Sequence, residues 1–421
     1  MSYMASLSAK NLGKIAVDVS RSADSDIYLW QAFIDCCSQK VALFDRKDTL
    51  RVWKGLMTFY RNYDYRLRPV DVGFIQDLIS HSIEMSNGYT CDELSQLAEC
   101  VCEFATVNDV LLSSVTPLFS KIGIVFNMRL AEAVPYGVVR LLVSFSRLGI
   151  RDPTLLDSLA KFICNSNEFS VYDLRNIITS YALVGHQSPA LFEHATDHFF
   201  SVPGMGINEL AILSFAYTTA NYVTPRVRSL FENHLTRDGK CTLDIWGLQH
   251  RSVDIPLFCA NLDCLGVNIP MELIDLIQID DLTEDSFFKV VHLLPPKLES
   301  QQMVLERYRK FVSNDTISDH IKVLEYTTKS NFELLEMLHL VCKRVIELFT
   351  TGANRNTEPP ESLNILQEKF LQLLDRVPPA LLPNDMDIAP IISQGTPSIT
   401  TLSHAAMSKT LVDATTTQGK N

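Results

Sequence analysis

Three segments of the chain align with one another almost without gaps. They are VVRLLVSFSRLGIRDPTLLDSLAKFI (138–163), LRNIITSYALVGHQSPALFEHATDHF (174–199) and NELAILSFAYTTANYVTPRVRSLFENHL (208–235). Each carries a Ser-aromatic-small triplet: Ser144-Phe145-Ser146, Ser180-Tyr181-Ala182 and Ser214-Phe215-Ala216. Each then has a polar-Pro step, Asp152-Pro153, Ser188-Pro189 and Thr224-Pro225, with the prolines 36 residues apart both times. A fixed period in the range of about 20–50 residues is the signature of a solenoid, because one such unit cannot bury its own apolar face.

The second segment shows how one unit folds. Leu174, Ile177, Ile178, Tyr181 and Ala182 recur at i, i+3, i+4, i+7 and i+8, an apolar stripe along a first helix. After a short polar turn, Ser188 is placed to cap a second helix. Pro189 suits its first position, where a missing N–H costs nothing. Leu191, Phe192, Ala195 and Phe199 then form the second stripe. The expected fold is all-α, a right-handed α-solenoid of stacked helix hairpins with a repeat of about 36 residues. Phe145, Tyr181 and Phe215 are expected at equivalent buried places.

Weaker copies flank the central three. FCANLDCLGVNIPMELIDLI (258–277) repeats the turn as Leu265-Gly266-Val267 and Pro270, and LSQLAECVCEFATVNDVLLSSV (94–115) offers Phe104-Ala105 with Asn108-Asp109 as the cap. Residues 49–85 and 316–349 also read as helix pairs. The array thus spans 28–350, with 240–255 as an inserted or distorted helix and 361–376 as a terminal helix. A Ser/Thr-rich tail over 380–421 reads as disordered. Residues 1–27 fit either an organellar transit peptide, acid-poor up to Val17, or the first helix of the array.

The formal net charge of −12 excludes a generally basic nucleic-acid coat protein. Gly 16 and Pro 18 are too few for turn-rich β folds. No apolar stretch reaches the ~18 residues of a membrane helix, so no membrane partner is expected. The 10 cysteines include no C-x-x-C pair, and they read as buried thiols in a reducing compartment.

The pattern of apolar first helix, Ser-aromatic-Ala, Leu-Gly, polar-Pro and Leu-Leu/Phe resembles the degenerate helical repeats of the FASTK and RAP protein families. It is similar also to the heptatricopeptide-type repeats of apicomplexan organellar proteins, and to helical subunits of the trypanosomatid RNA-editing substrate-binding complex. The resemblance covers about three quarters of the chain. It implies binding or organising of mitochondrial RNA, in transcript processing, editing or mitoribosome assembly. The compact α/β module that ends RAP proteins has no counterpart, since 378–421 is too short and too polar for it. A nuclease reading therefore has no support.

No motif of catalysis stands out. His194 and His198, at i, i+4, could present two zinc ligands, but Ala195 stands where H-E-x-x-H needs its Glu, and no third ligand is evident. Asp280-Asp281 with Glu284-Asp285 reads as a charge cluster at a helix N-terminus. The chain is read as non-enzymatic, with no cofactor and no metal. Charge is more informative, because residues 241–421 carry 15 basic and 24 acidic residues whereas 46–68 is locally basic. In that segment Lys54, Arg61, Arg66 and Arg68 supply cations and Tyr63 and Tyr65 supply rings, alongside Trp53, Phe59 and Tyr60. Cations for phosphates with rings for bases is what single-stranded RNA requires. Arg140, Arg147 and Arg175 on the central first helices are the second candidates. The plainer alternative for 46–68 is a helix with a buried aromatic stripe and a solvated basic face.

The expectation is a helical-repeat protein of organellar, mitochondrial RNA metabolism. Its partners would be single-stranded or ribosomal RNA and the proteins of an RNA-processing or mitoribosomal complex. The alternative is a cytoplasmic or organellar protein–protein scaffold resembling HEAT or armadillo arrays without RNA contact. The acidic C-terminal half favours that alternative on electrostatics.

Overall fold

The computed structural model describes residues 2–22, 27–63, 67–107, 112–237, 240–241, 253–313, 316–330, 335–351, 360–378 and 381–382. The chain divides into two compact units, Met1–His234 and Leu235–Asn421.

In the first unit a short helix α1 (Ser2–Ser6) precedes six helix hairpins. Their first helices are α2 (Ala9–Ser22), α4 (Arg46–Asn62), α6 (Cys91–Val107), α8 (Pro135–Arg147), α10 (Val171–Leu183) and α12 (Ile207–Thr219). The second helices are α3 (Ile27–Ser38), α5 (Pro69–Met85), α7 (Leu112–Met128), α9 (Pro153–Cys164), α11 (Pro189–Phe200) and α13 (Pro225–Leu235). First helices pack in chain order, α2 on α4, α4 on α6, and so on to α12. Second helices do the same from α3 to α11. The result is the two-layer stack of an all-α solenoid. Segment 1–27 contains α2, which buries Leu12 and Ala16 completely.

Backbone chemistry at the turns explains the sequence pattern. Gly149 (φ +64°), Gly185 (φ +64°) and Asn221 (φ +52°) each end a first helix in the left-handed region, where a Cβ is strained. At the central hairpin Gly185 N–H donates to Ala182 O (3.0 Å) and His186 N–H to Tyr181 O (3.0 Å), the Schellman pair that satisfies the last carbonyls. The same pair recurs at Gly149/Ile150 and Asn221/Tyr222. Pro153, Pro189 and Pro225 then open the second helices. Asp152 accepts from Leu155 N–H (3.1 Å) and Thr224 Oγ1 from Val227 N–H (3.2 Å). Ser188 differs from the expectation: its carbonyl takes the first helical bonds, but its hydroxyl does not cap the helix.

The aromatic core also corrects the expected register in the third copy. Phe145 and Tyr181 are buried, but Phe215 is only half-buried, and the ring that fills the equivalent place is Tyr217. The constant step of 36 residues leads from Phe145 through Tyr181 to Tyr217, whereas the Ser-aromatic-small match selects a residue two places earlier. Hydrogen bonding repeats with the same step. Tyr181 OH donates to Leu156 O of α9 (2.6 Å). Tyr217 OH meets Thr196 Oγ1 (2.7 Å), which donates to Phe192 O of α11 (2.6 Å). Helices α10 and α12 are thus each tied to the preceding second helix at one repeating carbonyl, Leu156 directly and Phe192 through Thr196.

In the second unit α14 (Ile255–Cys264), α16 (Glu284–Val290), α18 (Ile317–Lys329) and α20 (Pro360–Asp375) pack in succession, and α19 (Leu335–Thr351) folds on α18. The helices α15 (Met271–Ile274) and α17 (Leu298–Phe311) lie between them in the chain. Gly266 (φ +68°) closes α14 with the same two backbone bonds, to Asp263 O (2.8 Å) and from Val267 N–H to Leu262 O (3.0 Å). At the start of the stretch 240–255, expected as an inserted or distorted helix, Lys240–Cys241 is instead a strand, β2, paired antiparallel with β1 (Thr236–Arg237) just before it. Residues 242–252 lie outside the described residues, as does the expected tail apart from 381–382. Among the described residues no helix is long and apolar enough to cross a membrane.

Candidate nucleic-acid interface

One face of each first helix is left over once both layers are packed. On α4 the buried residues Leu50, Val52, Trp53, Leu56, Phe59 and Tyr60 turn toward the core. Opposite them, at i, i+4, i+7, i+11 and i+14, stand Lys47, Arg51, Lys54, Thr58 and Arg61, none of them buried. On α2 the same spacing places Lys10, Lys14, Val17 and Arg21 outward, with Asp18 one step round the helix. The two helices approach closely. A Cβ at Gly55 would come within 2.9 Å of Ala16 O, and one at Gly13 within 2.8 Å of the Asp48 Cβ. With α2 on this flank and Phe104 of α6 against Tyr60 (4.9 Å) on the other, the basic stripes of α2 and α4 face the same way.

Arg51 is paired with the buried Asp48 (3.1 Å), whose carboxyl is pushed up by burial and then by Asp45. Among the described residues Lys10, Lys14, Arg21, Lys47, Lys54 and Arg61 have no ion-pair partner.

The aromatic residues of 46–68 do not share this exposure. Trp53, Phe59 and Tyr60 are core residues, with Trp53 Nε1–H donating to Ser82 Oγ (2.9 Å) and Phe59 stacked on Trp30 (4.1 Å). Tyr63 is half-buried against Phe59 (5.1 Å). The plainer alternative, a buried aromatic stripe under a solvated basic face, describes α4. Tyr65 and Arg66 lie outside the described residues. Arg68 caps α5 and is held by Asp71 (2.7 Å) and Asp35 (3.0 Å), so its charge is spent inside the fold.

Farther along the same face the character changes. On α6 the outward stripe is acidic, Asp92, Glu99 and Glu103 at the same spacing. The outward arginines of α8 pair with it: Arg140 with Asp92 (3.3 Å) and Glu99 (3.3 Å), and Arg147 with Glu103. Arg175, buried on α10, reaches Glu209 of α12 (3.9 Å). The three central arginines thus clamp adjacent first helices together, and acids rather than phosphates hold them. Outward on α8 and α10 are Tyr136 and Tyr172, which sequence reasoning missed; the signal was their separation of 36 residues.

The rings of His194 and His198 are 4.4 Å apart, His198 Nδ1–H donates to His194 O (2.9 Å), and burial followed by His198 pushes the His194 imidazole down. Among the described residues no group of three His, Cys, Asp or Glu side chains is placed to hold a metal ion. Asp280 and Asp281 form a single turn, and Glu284 and Asp285 open α16 behind the Thr283 cap. Nine of the ten cysteines, all but Cys241 of β2, are seen as free thiols, and burial pushes Cys100, Cys259 and Cys342 up to about 12. No protein-family model and no curated protein matches this chain.

Proposed function

We propose that this protein is a non-enzymatic helical-repeat protein that holds single-stranded or ribosomal RNA and its partner proteins in mitochondrial RNA metabolism. The observation that carries the reading is the pair of basic stripes on α2 and α4, which lie side by side and in which Lys10, Lys14, Arg21, Lys47, Lys54 and Arg61 have no ion-pair partner among the described residues, Arg51 alone being held by Asp48. Phosphate neutralisation dominates RNA affinity, and among the described residues this is the sector of the first-helix face that offers unpaired cations for it. The resemblance of the repeats to mitochondrial RNA-binding families supports the compartment. Imaging of the tagged protein tests it, and a cytoplasmic signal overturns it.

The decisive experiment is a filter-binding titration at several salt concentrations. The triple reversal Lys47→Glu, Lys54→Glu and Arg61→Glu is expected to weaken binding. It should also reduce the salt slope by about 2, at ~0.7 per phosphate contact on a single strand. Equal affinities with equal slopes remove these stripes from the site. Absence of binding by the unaltered protein at low salt overturns the RNA reading. A second reading, a protein scaffold without RNA contact, is favoured by the net charge of −12 and by arginines clamped between helices.

A further inference from the structure

We propose that Tyr136 and Tyr172 are base-stacking platforms for single-stranded RNA, one per hairpin, on the outward face of α8 and α10. This rests on the RNA reading above and adds to it a place for the bases, as distinct from the phosphates.

The two rings are geometric equivalents. They are 36 residues apart, each in the first turn of a first helix, and the two helices pack on one another. Both are well exposed, Tyr136 at 62% and Tyr172 at 64%. One face of each is nevertheless covered. Arg140 Cζ lies 4.2 Å from the Tyr136 centroid, and Arg175 Cζ lies 4.2 Å from that of Tyr172. Given the exposure, the opposite ring face is open to solvent.

The arginines set the rings in place. Arg140 is held across the helix boundary by Asp92 and Glu99 and donates to Ser95 Oγ (3.2 Å), while Arg175 is buried and directed at Glu209. A guanidinium fixed in this way holds the tyrosine stacked on it, so less side-chain freedom is lost when a ligand arrives. Arg140 is already paired with two carboxylates, and Arg175 is buried with Glu209 at 3.9 Å, so neither guanidinium is presented to a phosphate. What the platform offers is a flat, preset π face, and the ligand class that matches is a nucleobase.

Two further observations favour RNA over an apolar protein surface. First, the outward neighbour of each ring one turn on is polar, Arg140 on α8 and Asn176 on α10, and the apolar Val143 and exposed Leu183 stand two and three turns away. The rings are therefore separate flat stations instead of a continuous apolar ridge. Second, the same face carries the unpaired cations of α2 and α4, so a strand with phosphates there and bases here stays on one side of the array. Packed helices lie about 8–10 Å apart, which suits one station per repeat along an extended strand.

The test uses the full chain with two labelled strands of equal length, oligoadenylate and an abasic strand with the same phosphates. The unaltered protein should bind oligoadenylate at least about tenfold more tightly than the abasic strand. The double variant Tyr136→Ala/Tyr172→Ala should bind oligoadenylate no better than the abasic strand, with abasic affinity and salt slope unchanged. Tyr136→Phe/Tyr172→Phe should retain the discrimination. Both side chains are exposed, and an unchanged circular-dichroism melt confirms that the variants keep the fold. Undiminished oligoadenylate binding by the alanine double variant overturns the platform. The RNA reading survives that result if reversal of Lys47, Lys54 and Arg61 still weakens binding. Failure of the unaltered protein to bind either strand overturns both and leaves the two rings to a protein partner.

Discussion

Tyr217→Ala and Phe215→Ala, two places apart on α12, should differ sharply in cost. Tyr217 is fully buried, with Phe192, Tyr222 and Phe231 around it at ring distances of 5.9, 6.2 and 6.2 Å. Truncating a ring in such a place costs about 3–5 kcal/mol. Losing the hydroxyl adds little, because Thr196 keeps its bond to Phe192 O, so no buried group is orphaned. Phe215 is half-buried, and its removal leaves a surface notch that water fills. Its loss is about half of the ~1.5–3 kcal/mol for a fully buried ring, hence about 1 kcal/mol. The difference of about 2–4 kcal/mol corresponds to roughly 30- to 1,000-fold in the local opening constant. Native-state hydrogen exchange reads this directly. Tyr217→Ala should accelerate exchange across residues 189–235 and leave α2 and α4 unchanged, since each hairpin is supported by its neighbours alone. Equal damage from Phe215→Ala would refute the register. A uniform rise from α2 to α12 would refute the nearest-neighbour picture.

At Gly185 no atom lies within 4 Å of a new Cβ, so Gly185→Ala isolates the cost of φ +64°, about 1–2 kcal/mol, visible in exchange over α10 and α11. In the second unit His292 Nε2–H donates to Asp263 (2.9 Å), and this bond holds the Asp263 carboxyl below its usual 3.8. A carboxyl lowered in the native state stabilises at neutral pH, and the benefit disappears as pH falls below that value. Asp263→Asn should therefore lower the melting temperature near neutrality and flatten its acid limb, and an unaltered pH profile contradicts the linkage. Alkylation mapped by mass spectrometry at neutral pH should modify the exposed Cys264 in the native protein, and should reach Cys100, Cys259 and Cys342 only after denaturation.

Local backbone rules were legible in the sequence. Pro153, Pro189 and Pro225 open their helices, and the Leu-Gly steps mark left-handed turns, because these residues act on their own backbone. Similarity of type was a poorer guide than spacing: Ser214-Phe215-Ala216 looks like the other triplets, but a period counts residues and leads to Tyr217. Candidate site residues were legible only as charge. Lys54 and Arg61 are outward and have no ion-pair partner among the described residues, as a basic face requires. The partners of Arg140 and Arg147 could not be foreseen. Asp92 and Glu103 lie on another helix more than 40 residues away, and the stacking of hairpins brings them together. Trp53, Phe59 and Tyr60 interleave with cations along the chain, but the helical turn separates them onto opposite faces, rings inward and charges outward.

Gly149, Gly185 and Asn221 close their helices with the same two backbone bonds, so a cut made after any two of them rejoins like with like. Excising 150–185 would connect Gly149 to His186 through the turn that each already makes. It would set Phe145 where Tyr181 had been, and it would present α8 to α12 in place of α10. A coding sequence built this way grows or shrinks by recombination in whole hairpins, with no new turn to be found at the junction. Length along the array then becomes an inherited variable of fixed step, about 8–10 Å for each hairpin gained or lost.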